Sequence, residues 1–182
     1  MGMGKSENNA KIGILGGSFD PLHVGHLMMA ESAADAFGLD KVIFVVANQS
    51  PFKMSERAGT QDRLAMVKAA IKGNARLAVS DIELKRGGVS YTIDTLNYFR
   101  KILPSVELFL IIGEDHVPGL PGWKNIEAIK QLAGFIVIER AWFDVSSSLV
   151  RQRLKQKKSI RYLTTDGVIR YINRRHLYLE SS

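Results

Sequence analysis

Two short apolar runs, KVIFVVA at 41–47 and ELFLIIG at 107–113, constrain this chain more than any other feature. Neither alternates apolar with polar residues, so neither suits a sheet with one wet face. Both read as strands of a parallel sheet covered on both sides. KIGILG (11–16), ARLAVSDIEL (75–84) and GFIVIER (134–140) read as further extended stretches. Between and after them lie helical patterns at 24–37, 61–72, 92–103, 125–132, 146–157 and 164–174. The first stops at Gly38, the second gathers Leu64, Val67, Ala70 and Ile71 on one side, and the third stops before Pro104. Gly87-Gly88 breaks the 75–84 stretch, and residues 48–60 and 113–123 read as loops. Strands alternating with helices predict an α/β fold, a doubly wound parallel sheet with helices on both faces and a small C-terminal helical extension.

The 182 residues suit one domain, placed at 11–182, with the polar MGMGKSENNA (1–10) as a disordered leader. With 46% hydrophobic and 24% charged residues, a largely disordered chain is excluded. Cys is absent, which removes disulfides, thiolate metal sites and a Cys nucleophile. No apolar run reaches the length of a membrane span, and the N-terminus has no apolar signal core, so a cytoplasmic protein is expected. The chain nets +7, yet residues 151–175 alone hold nine Lys or Arg against one acid, Asp166. That segment suits steering of a polyphosphate or a nucleic acid, or simply a solvated helical surface. A nucleic-acid module would need exposed aromatics among those lysines. Tyr162 and Tyr171 instead fall at core-facing helix positions beside Leu163 and Ile172, which argues against nucleic acid as a partner.

One junction resists the pattern. Only Ala141 separates GFIVIER from WFDV, whereas parallel neighbours need a crossover of a dozen or more residues. WFDV is therefore not the next parallel strand. It is an irregular entry to the next helix, or intervening residues are missing from the sequence.

The chemistry concentrates in Gly16-Gly17-Ser18-Phe19-Asp20-Pro21-Leu22-His23-Val24-Gly25-His26-Leu27. This segment follows the first strand, where open α/β sheets bind ligands. Glycines admit phosphate oxygens close to backbone N–H groups, and a helix beginning near Val24 adds its positive end. His23 and His26 are three apart, so on a first turn both imidazoles can face one ligand and donate to developing negative charge. Two histidines could equally cap the helix or begin a metal site, although no third ligand is evident.

GGSFDPLHVGHL resembles the H-x-G-H signature of the nucleotidyltransferase superfamily, and Asp144-Val145-Ser146-Ser147-Ser148-Leu149-Val150-Arg151 resembles its I-S-S-T-x-I-R block. Ser90-Tyr91-Thr92-Ile93-Asp94-Thr95, Gly113-Glu114-Asp115 and Leu120-Pro121-Gly122-Trp123 lie between them, and SIRYLTTDGVIRYINRRHLY follows. The whole order, over residues 11–179, is similar to that of the bacterial nicotinate mononucleotide adenylyltransferases.

The resemblance implies a Rossmann-like domain that transfers AMP from ATP to nicotinate mononucleotide, releasing pyrophosphate, in NAD biosynthesis. It assigns His23, His26 and Arg151 to catalysis. ATP would meet Gly16, Gly17, Ser18, Phe19, His23, His26, Gly113, Asp115, Ser146, Ser147, Ser148 and Arg151. Nicotinate mononucleotide would meet Ser18, Asn48, Lys53, Tyr91, Thr92 and Trp123, with the Trp123 indole as a stacking platform. Mg²⁺ is implied through the ATP phosphates, with no protein metal site. Ser146 alone would more simply be an N-cap. Partners are ATP and the mononucleotide, with no membrane, and a homo-oligomer stays open. A phosphopantetheine adenylyltransferase and a nicotinamide mononucleotide adenylyltransferase are the alternative readings. Three positions depart from the family: Ser148 replaces a usual Thr, Lys124 stands where an aromatic or His is common, and the connection before the Ser block is short.

Overall fold

A computed structural model describes residues 9–51, 56–139 and 145–179. Five strands form one sheet: β1 (Lys11–Gly17), β2 (Lys41–Val46), β3 (Leu77–Ser80), β4 (Glu107–Gly113) and β5 (Gly134–Ile138). All neighbours pair in parallel, in the order β3-β2-β1-β4-β5. The helices are α1 (Val24–Phe37), α2 (Thr60–Ile71), α3 (Ile82–Arg86), α4 (Thr92–Ile102), α5 (Ile126–Leu132), α6 (Ser147–Lys155) and α7 (Asp166–Arg175).

Side chains of successive strand residues go to opposite faces, and both faces are covered. Leu15, Val42, Phe44, Val46 and Ile111 bury against α1 and α2. Ile14, Val45, Leu108, Leu110 and Ile112 bury against Ile93, Leu96 and Phe99 of α4 and Ile129 of α5. This is why 41–47 and 107–113 show no polar alternation. On α1, Ala30, Ala33 and Ala34 let the helix lie close to the sheet. A third cluster joins Met66 to Val150, Ile160, Val168 and Ile172, and so seats the C-terminal helices against α2.

The chain runs from β1 outward to β2 and β3, then crosses back to place β4 on the other side of β1. The connections therefore part between β1 and β4, and their carboxyl ends open a crevice there.

Several sequence expectations need correction. Residues 82–84 are not extended but belong to α3, framed by Asp81 and by Gly87, whose N–H donates to the Glu83 carbonyl. A Lys85–Asp81 ion pair at 3.0 Å adds a local contact that a strand would lack. Residues 114–122 are not an irregular loop but 3-10 turns. Pro118 and Pro121 lack the N–H groups an α-ladder needs, which favours short turns. Tyr162 does not face the core: it is 82% exposed, lies before α7 and has φ 66°. Tyr171 does pack with the third cluster, its hydroxyl donating to Asp62 at 2.9 Å.

The leader expected at 1–10 lies, as far as residue 8, outside the described residues. The Ala10 carbonyl accepts from the Glu107 N–H at 2.9 Å, extending the β1–β4 ladder by one residue. Residues 140–144 of the short connection also lie outside them.

Candidate active site

The turn after β1 carries its polar groups inward. Phe19 adopts φ 50° and puts its ring in the core against Phe44, 5.5 Å between centroids. It is a floor for the site, since its ring meets the His26 ring edge-on at 5.1 Å. A cis peptide precedes Pro21. His23 then caps α1 from an extended conformation and is 3% exposed. The two imidazoles stack at 3.8 Å.

The His23 N–H donates to His26 Nδ1 at 3.3 Å. That bond fixes the neutral tautomer of His26 with its proton on Nε2, the nitrogen turned away from the backbone. His26 is thus arranged as a donor, while His23 backs it. Gly25 leaves the His23 ring uncrowded. A Cβ there would meet His23 Nδ1 at 3.1 Å and Cε1 at 3.2 Å.

The Ser-rich start of α6 packs directly on this turn. Ser146 is an N-cap, its Oγ accepting from the Leu149 N–H at 3.1 Å. Ser147 Oγ donates to the Pro21 carbonyl at 2.9 Å. Arg151 donates to the Asp20 carbonyl at 2.5 Å and to Ser148 Oγ at 3.0 Å. A guanidinium has five N–H groups, so these bonds orient Arg151 without exhausting it. The C-terminal extension closes the other side. Val24 N–H donates to the Leu163 carbonyl, and Thr164 Oγ1 to the Leu22 carbonyl at 2.8 Å. The first N–H of α1 is therefore already used by protein.

At the end of β4, Gly113 lies under the Asp115 carboxylate. A Cβ on Gly113 would collide with Asp115 Oδ1. Asp115 is exposed and bonds His116 Nδ1 at 3.1 Å. Gly16 and Gly17 pair with Val45 and Val46 at the ends of β1 and β2. Ser18 is buried and its hydroxyl donates to Glu56 at 3.2 Å.

The acceptor residues form a second group. Asn48 Nδ2 donates to the Gly88 carbonyl and its backbone N–H to Ser90 Oγ, both at 2.9 Å. These bonds tie the exit of β2 to the segment that starts α4. Tyr91, Thr92 and Trp123 line a cavity of about 340 Å³, together with Pro51, Lys124 and Ile129. Lys53 lies outside the described residues. The structure thus brings His23, His26, Ser146, Ser147, Ser148 and Arg151 together, and separately brings Tyr91, Thr92 and Trp123 together.

Two groups that the sequence reading missed hold the turn. Arg63, 1% exposed, donates to four carbonyls: Ser18 (2.8 Å), Ala47 (2.7 Å), Asn48 (3.1 Å) and Ala58 (3.2 Å). Burial lowers its pKa from the ordinary arginine value, and Glu56, Asp20 and Tyr178 pull it back up. Asp20 accepts from the Arg57 and Ala58 N–H groups and from the Tyr178 hydroxyl at 2.6 Å. Burial and then that bond to Asp20 push the Tyr178 pKa well above the usual phenol range. A signal for Arg63 was present, because it precedes Val67 and Ala70 on an apolar helical stripe where an arginine has no solvent.

Among the described residues, no group of three or more His, Asp or Glu side chains could hold a metal ion. None of the helices described is long and apolar enough to cross a membrane.

The cytidylyltransferase-like family model matches residues 14–153. A protein of Opitutus terrae named "Probable nicotinate-nucleotide adenylyltransferase" is 42% identical, over 94% of this chain and 99% of its own length. One of Shouchella clausii with the same name is 42% identical, over 92% of this chain and 96% of its own. The fold matches a crystal structure described as "a Putative Nicotinate-nucleotide Adenylyltransferase from Vibrio parahaemolyticus" with TM-score 0.80 at 24% identity, covering 94% and 97% of the two chains. It also matches "Plasmodium falciparum nicotinic acid mononucleotide adenylyltransferase complexed with NaAD" with TM-score 0.76 at 19% identity, covering 93% and 98%.

Proposed function

The chain belongs to the cytidylyltransferase-like family, and on that premise we infer that it transfers AMP from ATP to nicotinate mononucleotide, forming nicotinate adenine dinucleotide and pyrophosphate. One observation carries this reading. The His23–His26 pair and the Ser147–Arg151 turn of α6 are bonded into one wall, at the same carboxyl edge of the sheet from which α4 starts beside Trp123. The shared name of the relatives at 42% identity supports the choice of acceptor.

The reaction needs no protein nucleophile. A phosphate oxygen of the mononucleotide attacks the α-phosphorus of ATP in line, and the bond to the bridging oxygen of the β-phosphate breaks. Catalysis is then positioning plus stabilisation of spreading negative charge. His26 donates from Nε2 to the phosphate chain, held by its Nδ1 bond and the Phe19 floor. Arg151, oriented by Asp20 and Ser148, faces the departing pyrophosphate. Gly16, Gly17 and Ser18 supply backbone along the triphosphate, and Asp115 accepts from ribose hydroxyls of the adenosine half. Trp123 stacks the pyridine ring, Tyr91 and Thr92 present the start of α4 to its carboxylate, and Asn48 and Lys53 complete the acceptor side. Magnesium arrives as part of the substrate, on phosphate oxygens and water, and neutralises charge on the triphosphate when bound. Phosphorylated substrates that do not cross membranes suit a cytoplasmic enzyme.

The test is pyrophosphate release from ATP with nicotinate mononucleotide, nicotinamide mononucleotide or phosphopantetheine as acceptor. Turnover is expected with the first. Turnover with phosphopantetheine alone would overturn the reading.

A further inference from the structure

We propose that Lys124 is the specificity-determining residue that favours an acidic over an amide pyridine nucleotide in the Tyr91–Trp123 cavity. The inference rests on the function proposed above and deepens it. The Lys124 ammonium lies 4.1 Å from the centroid of the Tyr91 ring. Tyr91 immediately precedes α4, and Lys124, Tyr91, Thr92 and Trp123 line the same cavity.

The start of α4 attracts an anion through its partial positive charge. Its first turn already contains the Asp94 carboxylate, which takes up part of that attraction. A helix end alone is therefore a weak discriminator between a carboxylate and its isosteric amide. The two acceptors differ by one full negative charge, so a fixed cation at the cavity wall separates them where shape cannot. The Tyr91 ring holds the ammonium by its negative face, keeping a flexible side chain over the pocket. Because Lys124 is exposed, its effect is screened by solvent and moderate in size.

Lys124→Met keeps length and removes charge. Its ratio of kcat/KM for nicotinate over nicotinamide mononucleotide should fall about tenfold from wild type, as expected for losing one close opposite charge at partial screening. The loss should sit in KM for the acid, with kcat and the amide's constants within about twofold and an unchanged melting temperature. Lys124→Arg should restore most of the ratio, and raising the salt should narrow the gap between wild type and Lys124→Met. An unchanged ratio, or equal losses with both acceptors, overturns the proposal while leaving the function proposed above intact. A wild-type protein that turns over neither pyridine nucleotide overturns both.

Discussion

The two ends of the cleft are built in opposite ways. At the phosphate end the half-buried Ser147 and Arg151 are bonded to the turn they face, and that turn is anchored by buried groups, Asp20 to three donors and Arg63 to four carbonyls. At the acceptor end the buried Ile129 lies under a wall of half-buried or exposed residues, namely Tyr91, Thr92, Trp123 and Lys124, which 3-10 turns adjoin. A transition state that spreads charge over a triphosphate gains most from donors that need no reorganisation. A ring and a carboxylate need mainly a shaped, adjustable wall. In the proposed reaction, buried anchors stand behind the groups that would meet the moving charge, and a more open wall stands where the acceptor would be chosen.

The sharpest break of this contrast is His26→Ala. Turnover should fall about a thousandfold, near the loss seen when one preorganised donor is removed. The melting temperature should move by only a few degrees, because His26 is a half-buried ring over an intact turn. Unchanged turnover would show that the phosphate end is not the charge-stabilising end.

Arg63→Met tests rigidity itself. Leaving four carbonyls without their buried donor should cost about 3 kcal/mol, read as a melting temperature about 6–12 °C lower by calorimetry. Turnover at a temperature where the variant stays folded should drop as well, since Ser18, Ala47 and Asn48 lose their common anchor. Normal stability would mean those carbonyls are satisfied without it.

Trp123→Ala probes the other end. KM for the mononucleotide should rise about tenfold while KM for ATP stays put, in line with the loss of one large aromatic contact surface. A matching rise in KM for ATP would erase the division between the two ends.

The smallest effect concerns Glu83, buried beneath the start of α4. Burial pushes its carboxyl above the ordinary value, against bonds from Thr95 and Ser90 and the charge of Arg86. The folded protein then holds this proton more tightly than the unfolded chain. Its stabilising contribution is complete below the unfolded pKa of about 4.3 and is lost as pH rises through the higher folded value. Against Glu83→Gln, wild type should therefore lose relative stability between pH 4 and pH 7. A gap that does not change with pH would place Glu83 in a solvated setting.

The same contrast explains what the sequence made legible. The sheet was readable because 41–47 and 107–113 lack polar alternation, and the H-x-G-H and Ser-rich segments stood out by their resemblance to the motifs of a known family. The buried supports did not. Arg63 and Tyr178 act through partners 45 and 158 residues away, Ser18 and Asp20, and no local pattern encodes such pairing. Residues 114–122 look like a loop in the sequence because proline marks a break in α-helix without excluding 3-10 turns. Tyr162 faces solvent because it precedes α7, so helical periodicity does not govern its direction.

The most direct test of this division is a structure with nicotinate adenine dinucleotide bound. The account predicts the phosphates within hydrogen-bond reach of His26 Nε2 and the pyridine ring on Trp123. A dinucleotide seated away from both, for instance in the basic hollow near Lys158 and Arg161, would contradict it.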